Sequence, residues 1–131
     1  MLIFKKWLVR GEEYLIKNSR NIAIFFAKVL EEKKAKDTII LDIRKISVIA
    51  DFFIISTAQS NTHFKILINT IIKNAKENNI QRNLSYEGSE NTGWVLLDCG
   101  DIVIHLFSEE KRNYYHLDQL WQEARKIKSW K

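Results

Sequence analysis

Asp98 and Asp101 flank Cys99-Gly100, and His105 follows shortly after, so two carboxylates, a thiol and an imidazole fall within eight residues. Such a set invites three chemistries: an acid/base pair of His105 with either carboxylate, a metal site on the acids, or a cysteine nucleophile. The surroundings argue against each. Acids on either side of a tight turn more often stabilise it through local hydrogen bonds than ligate a metal. His63, His105 and His116 lie on separate elements and show no zinc spacing. No Ser or Cys nucleophile is placed beside His105. Cys99 is expected to be exposed at the turn, without a neighbouring cation to favour the thiolate. A further candidate, Thr57-Ala58-Gln59-Ser60, has the strand-turn-helix layout of a phosphate-binding turn. It lacks the glycines that let a phosphate approach the backbone, so Ser60 reads as a helix cap. No catalytic, cofactor-binding or metal-binding residue is expected.

What must position these side chains is a β-hairpin running from Trp94 to Phe107, two apolar runs around a short polar turn that contains Gly100. With Cys99-Gly100 as a two-residue loop, 98 pairs with 101, 96 with 103 and 94 with 105. Paired residues share a face. One face is then Val95, Leu97, Ile102, Ile104 and Leu106, an aliphatic core face. The other carries Trp94, Leu96, Asp98, Asp101, Val103 and His105. An aromatic and aliphatic strip with a polar rim has the composition of a contact patch. It equally suits one side of a sheet covered by a helix, with the acids solvating the turn. A three-residue loop would reassign the faces.

Helices and strands alternate along the rest of the chain. Asn18, Ser19 or Asn21 can cap a helix with Ile22, Phe25, Phe26, Val29 and Leu30 at helical spacing, ending in Lys33-Lys34-Ala35-Lys36. Those lysines suit the negative end of the helix dipole as well as they suit RNA. Residues 38–43 and 52–58 read as buried strands. Ser60 or Asn61 caps a second helix with Phe64, Leu67, Ile68, Ile71, Ile72 and Ala75 in one stripe, ending near Asn78-Asn79. Gln81 to Gly93 is an edge strand or a loop. A third helix is predicted through Tyr114, Leu117, Leu120, Trp121, Ala124 and Ile127, with Glu109 and Glu110 at its positive end. The fold class is α/β: a single domain with a small mixed β-sheet and flanking helices.

The chain of 131 residues is long enough to bury a core unaided. Its single cysteine excludes an internal disulfide and fits a reducing compartment. A net charge of +5 is compatible with an anionic environment such as RNA or a ribonucleoprotein. No segment has the 18 to 20 apolar residues needed to cross a bilayer, and the start, Met1 to Arg10, is interrupted by Lys5 and Lys6. That start reads as a loosely docked terminal helix rather than a secretory signal or a membrane-surface helix, and the protein reads as cytoplasmic.

Several short motifs, taken together, resemble one family. Lys34-Ala35 with Asp37, Leu41-Asp42-Ile43-Arg44, Ala50-Asp51-Phe52-Phe53-Ile54-Ile55, and Ser60 with His63 belong to the pattern. So do Trp94-Val95-Leu96-Leu97-Asp98, the run from Gly100 to Phe107, and Tyr115, Leu117 and Leu120-Trp121. In order and without large gaps over residues 22 to 126, they resemble the ribosomal silencing factor, or Iojap-like, family. The resemblance implies a nucleotidyltransferase-like shape without the catalytic acids. It implies a translational repressor, not an enzyme, that binds the large ribosomal subunit at ribosomal protein L fourteen and blocks joining of the small subunit when nutrients are scarce. Neighbouring ribosomal RNA is an expected contact, and no cofactor is implied. The hairpin's mixed face, with Trp94, Leu96, Asp98, Cys99, Asp101, Val103 and His105, is the expected ribosome-facing site. The chain departs from the pattern at Cys99, where the family usually has an aromatic residue, and at Ala58, where Gly is common. Residues 1–20 form an extension outside the resemblance, before a domain at 21–131. A nucleotidyltransferase-like enzyme and a general RNA-binding domain are the competing readings, and the sequence leaves open whether the free protein dimerises.

Overall fold

The computed structural model describes residues 18–81, 84–117, 119, 122–127 and 130 in full, and the backbone alone of 118 and 120. The terminal helix expected at residues 1–10 therefore lies outside the described residues, as do the side chains of Leu120 and Trp121.

The chain runs through α1 (Ser19–Glu32), β1 (Lys36–Asp42), β2 (Phe52–Ala58), α2 (Asn61–Glu77), β3 (Ser85–Ser89) and β4 (Trp94–Asp98). It continues through β5 (Ile102–Ser108), α3 (Glu109–Tyr115), α4 (Leu117–Leu120) and β6 (Arg125–Lys126). The strands form one mixed sheet in the order β3-β4-β5-β2-β1-β6, in which only β2 and β5 run parallel. β2, apolar along most of its length, is buried at every position because it lies between β5 and β1 with side chains packed on both faces.

Local chemistry sets the helix ends. The Asn18 side chain accepts from the Arg20 amide to start α1, and Ser60 Oγ accepts from the His63 amide at 3.0 Å to start α2. Ser108 caps α3 by accepting from the Lys111 amide, with Glu109 and Glu110 in the first turn. The apolar faces of α1 and α2 cover one side of the sheet, packing Phe25, Phe26, Leu30, Phe64, Leu67 and Ile71 against Ile40, Ile54, Val95, Leu97, Ile104 and Leu106. The opposite side carries a separate cluster of Leu41, Phe53, Ile55, Val103 and Phe107, partly covered by Leu117.

The C-terminal part corrects the sequence expectation. The single helix predicted through Ile127 ends at Tyr115, because His116 adopts a left-handed φ of +51° and caps it. Residues 122–124 form a turn. Arg125 and Lys126 add to the edge of β1, and the Ile127 amide donates to Ile40 O at 3.0 Å. The open hydrogen bonds of an edge strand outweigh helical periodicity here.

β3 is the edge strand that the polar stretch left open, and Gly88 lets it sit close to β4. Gly88 has a φ of +92°, and a Cβ there would meet Trp94 O at 2.1 Å. Gly88→Ala is accordingly expected to cost roughly 2 kcal/mol or more and to disturb Trp94. Urea unfolding measures it, and a midpoint equal to that of the parent protein would reject the close approach.

Candidate functional site

The hairpin forms with a register displaced by two residues from the one expected. Asp98 pairs with Val103, Leu96 with His105 and Trp94 with Phe107. The Cys99 amide donates to Ile102 O at 2.9 Å, leaving Gly100 and Asp101 as the two-residue turn. Gly100 takes the left-handed φ of +79° that this turn requires, and Asp98 Oδ1 accepts from its amide at 2.9 Å. Because strand side chains alternate with period two, a shift of two exchanges partners but leaves each face intact. Val95, Leu97, Ile102, Ile104 and Leu106 face the helices, and Trp94, Leu96, Val103 and His105 share the other side.

Depth divides the expected site residues. Asp98 and Asp101 are exposed, and Trp94 and Leu96 are part-buried. Val103 and His105 are buried and form the floor beneath them. Cys99 corrects the expectation of an exposed thiol. It is buried in the helix-side core, and burial, with the Asp98 charge, pushes its thiol up to about 12. A thiol of this kind is a packing group, not a contact or a nucleophile.

An aromatic cluster holds Trp94. Its ring lies 5.0 Å from Phe107, 4.7 Å from Tyr115 on α3 and 6.0 Å from His105. The indole Nε1–H donates to His105 Nδ1 at 3.3 Å, so the imidazole proton sits on Nε2. That buried Nε2 has no hydrogen-bond partner among the described residues. Phe53 stands edge-on to the ring at 4.6 Å, and Leu96 and Ile55 flank it in register. Burial among these uncharged groups lowers the His105 pKa to about 4. A neutral, enclosed imidazole with no carboxylate bonded to it supports the Trp94 ring; it is not arranged as an acid/base pair.

Sequence reading missed three contributors. Phe107 shares the face of Val103 and His105 by alternation and is set opposite Trp94 by the shifted register, and Tyr115 reaches it from α3. Glu87 on β3 pairs with Leu96 and so shares its face, adding an exposed carboxylate to the rim. Alternation along each strand was the available signal for Phe107. No local signal fixes which β3 residue lies opposite Leu96.

The turn after β2 is already occupied by the protein's own groups. The Gln59 amide donates to His63 Nδ1 at 2.9 Å, Ser60 Oγ takes the His63 amide, and His63 Nε2 meets Lys33 O at 2.7 Å. Amides engaged in this way are not presented to a phosphate. A polar cleft of about 380 Å3 opens nearby, lined by residues including Lys36, Asp37, Thr57, Glu109 and Arg112. Its cations and acids balance, and Arg112 Nη1 donates to Asp37 O at 2.6 Å and Thr57 Oγ1 at 2.9 Å, tying α3 to the sheet. Among the described residues no group of three His, Cys, Asp or Glu could hold a metal ion, and no helix is long and apolar enough to cross a membrane.

Comparison with known proteins is consistent over nearly the whole chain. The family described as ribosomal silencing factor during starvation matches residues 16–131. The ribosomal silencing factor RsfS of Bacillus subtilis is 36% identical over 107 residues, covering 82% of this chain and 90% of that protein. The chloroplastic protein Iojap of Zea mays is 33% identical over 107 residues, 82% of this chain and 46% of that longer protein. A crystal structure of a Chromobacterium violaceum protein superposes with a TM-score of 0.74 at 33% identity, covering 80% of this chain and 87% of that one. One from Bacillus halodurans gives 0.68 at 31% identity, covering 85% and 99%.

Proposed function

Because this chain belongs to the ribosomal silencing factor family, we propose that it is a non-catalytic, ribosome-associated translational repressor. It docks on the large ribosomal subunit against ribosomal protein L fourteen and sterically blocks joining of the small subunit, slowing translation when nutrients are limiting. It acts in the cytoplasm, with ribosomal RNA bordering the contact, and needs no cofactor.

The observation that carries this reading is the composition of the open sheet face. Trp94 and Leu96, part-buried, lie on the same side as the exposed Glu87 and Asp98, with Asp101 in the adjoining turn. An aromatic anchor with an acidic rim complements a basic protein and repels bare phosphate. Sedimentation of the purified protein with each ribosomal subunit tests the reading: it should travel with large subunits and not with small ones. Equal recovery with both, or none with large subunits, would reject it.

The charge of the rim gives a sharper expectation. Asp98→Asn combined with Asp101→Asn removes two charges yet keeps the turn. The carboxamide that replaces the Asp98 carboxylate retains an oxygen for the Gly100 amide, and Asp101 bonds Asp51 and Phe52 through its main-chain carbonyl. Large-subunit affinity should fall roughly fivefold, about 1 kcal/mol for two exposed charges, with the melting temperature retained. Tighter binding would place the acids against RNA phosphates; unchanged affinity would leave them as turn formers.

A further inference from the structure

The connection between β1 and β2 exposes three apolar side chains in four residues: Ile46 at 40%, Val48 at 105% and Ile49 at 74%. Isolated exposed aliphatics are ordinary on a protein surface, but a group of this size on one short segment is a patch. The segment is also shaped. The Ile46 and Ser47 amides donate to Ile43 O at 3.1 and 3.0 Å, and the Ile49 amide donates to Ser47 Oγ at 3.1 Å. Little conformational freedom is left to lose on contact.

The feet of this connection belong to the candidate site. Ile43 and Ala50 are buried in the same cluster as Val103 and Phe107, against which Trp94 and Leu96 pack. At its far end the Asp51 and Phe52 amides donate to Asp101 O at 2.7 and 3.2 Å, fastening it to the turn of the hairpin. Of its two cations, Arg44 is engaged elsewhere, paired with Asp42 at 2.7 Å and lying over the Phe52 ring on the helix side, and Lys45 is exposed beside Ile46. The far end of the connection thus adjoins the exposed Asp101 of the hairpin turn.

The geometry points to Ile46, Val48 and Ile49 as an apolar extension of the ribosome-docking face, seated on the same basic partner protein as Trp94 and Asp98. This inference rests on the proposed docking of the hairpin face. A basic protein that meets the acidic rim lies next to the connection, and its aliphatic surface or lysine stems would cover these side chains.

The test uses the full chain with Val48→Ser and Ile49→Ser, assayed for large-subunit affinity, melting temperature and oligomeric state beside the parent protein and the Asp98→Asn, Asp101→Asn variant. The expected result is at least a tenfold loss of affinity with an unchanged melting temperature and an unchanged oligomeric state. Unchanged affinity, with the hairpin variant weakened, would overturn the extension while sparing the hairpin face. A melting temperature lowered by several degrees would show that the patch covers another part of this chain, and conversion of a dimer to a monomer would assign it to a second copy; either overturns the inference. Failure of the parent protein to bind large subunits would remove the docking proposal itself.

Discussion

Trp94→Ala should lower folding stability by about 3 kcal/mol and, in the molecules that remain folded, weaken large-subunit binding by roughly thirtyfold or more. The two effects arise from opposite sides of one ring. Phe107, Tyr115 and His105 pack beneath and beside the indole, and truncation leaves them facing a gap. It also strips His105 Nδ1 of its donor. The part of the ring that remains accessible is the anchor of the proposed interface. Trp94→Phe separates the contributions: it keeps an aromatic ring against Phe107 but deletes the indole N–H, and should cost about 1 kcal/mol of folding through the lost hydrogen bond. Urea unfolding gives the first quantity, and subunit binding at low temperature, where the variants are folded, gives the second. Undiminished binding by folded Trp94→Ala would move the anchor off this face.

His105 should make the fold acid-sensitive well above the range in which carboxylates titrate. In the unfolded chain the imidazole has its ordinary pKa of 6.5, whereas burial among Trp94, Phe53, Leu96 and Ile55 lowers it to about 4 in the native protein. Below pH 6.5 the unfolded chain takes up a proton that the native chain does not. The stability contributed by the neutral, packed ring is therefore complete above about pH 6.5 and is lost as pH falls toward about 4. Over that window the loss is roughly 3 kcal/mol. His105→Gln retains an acceptor for the indole N–H and cannot titrate, so its stability should fall far less between pH 6.5 and 4.5. Parallel pH profiles for the two proteins would show that the ring is solvated in solution.

Acid sensitivity and the proposed docking face are linked through the same pair. A protonated His105 has no lone pair on Nδ1 to accept the indole N–H, so Trp94 loses its polar tether as the ring charges. The position of the proposed anchor depends in this way on the buried imidazole bonded to it.

Much of this was determined by short stretches of sequence. The stripes of α1 and α2, the caps at Asn18, Ser60 and Ser108, and the strand at Phe52–Ala58 all follow from residues within one or two turns of each other. So does the division of hairpin side chains between core and open face, because alternation survives any shift by two. The motifs that resemble the silencing factors are likewise local, and the family assignment confirms them. Tertiary structure decided what depends on distant partners. The edge of β1 captured Arg125 and Lys126 and ended the expected C-terminal helix. The turn centred on Gly100 and Asp101, fastened by the Asp51 and Phe52 amides, set the pairing that brought Phe107 beside Trp94. The same packing buried Cys99, which its place at the turn suggests is exposed, and His105, which alternation assigns to the mixed face, and β3 pairing carried Glu87 to the rim. Period and capping are properties of neighbouring residues; depth and register arise from contacts between segments far apart in the chain, which local sequence does not encode.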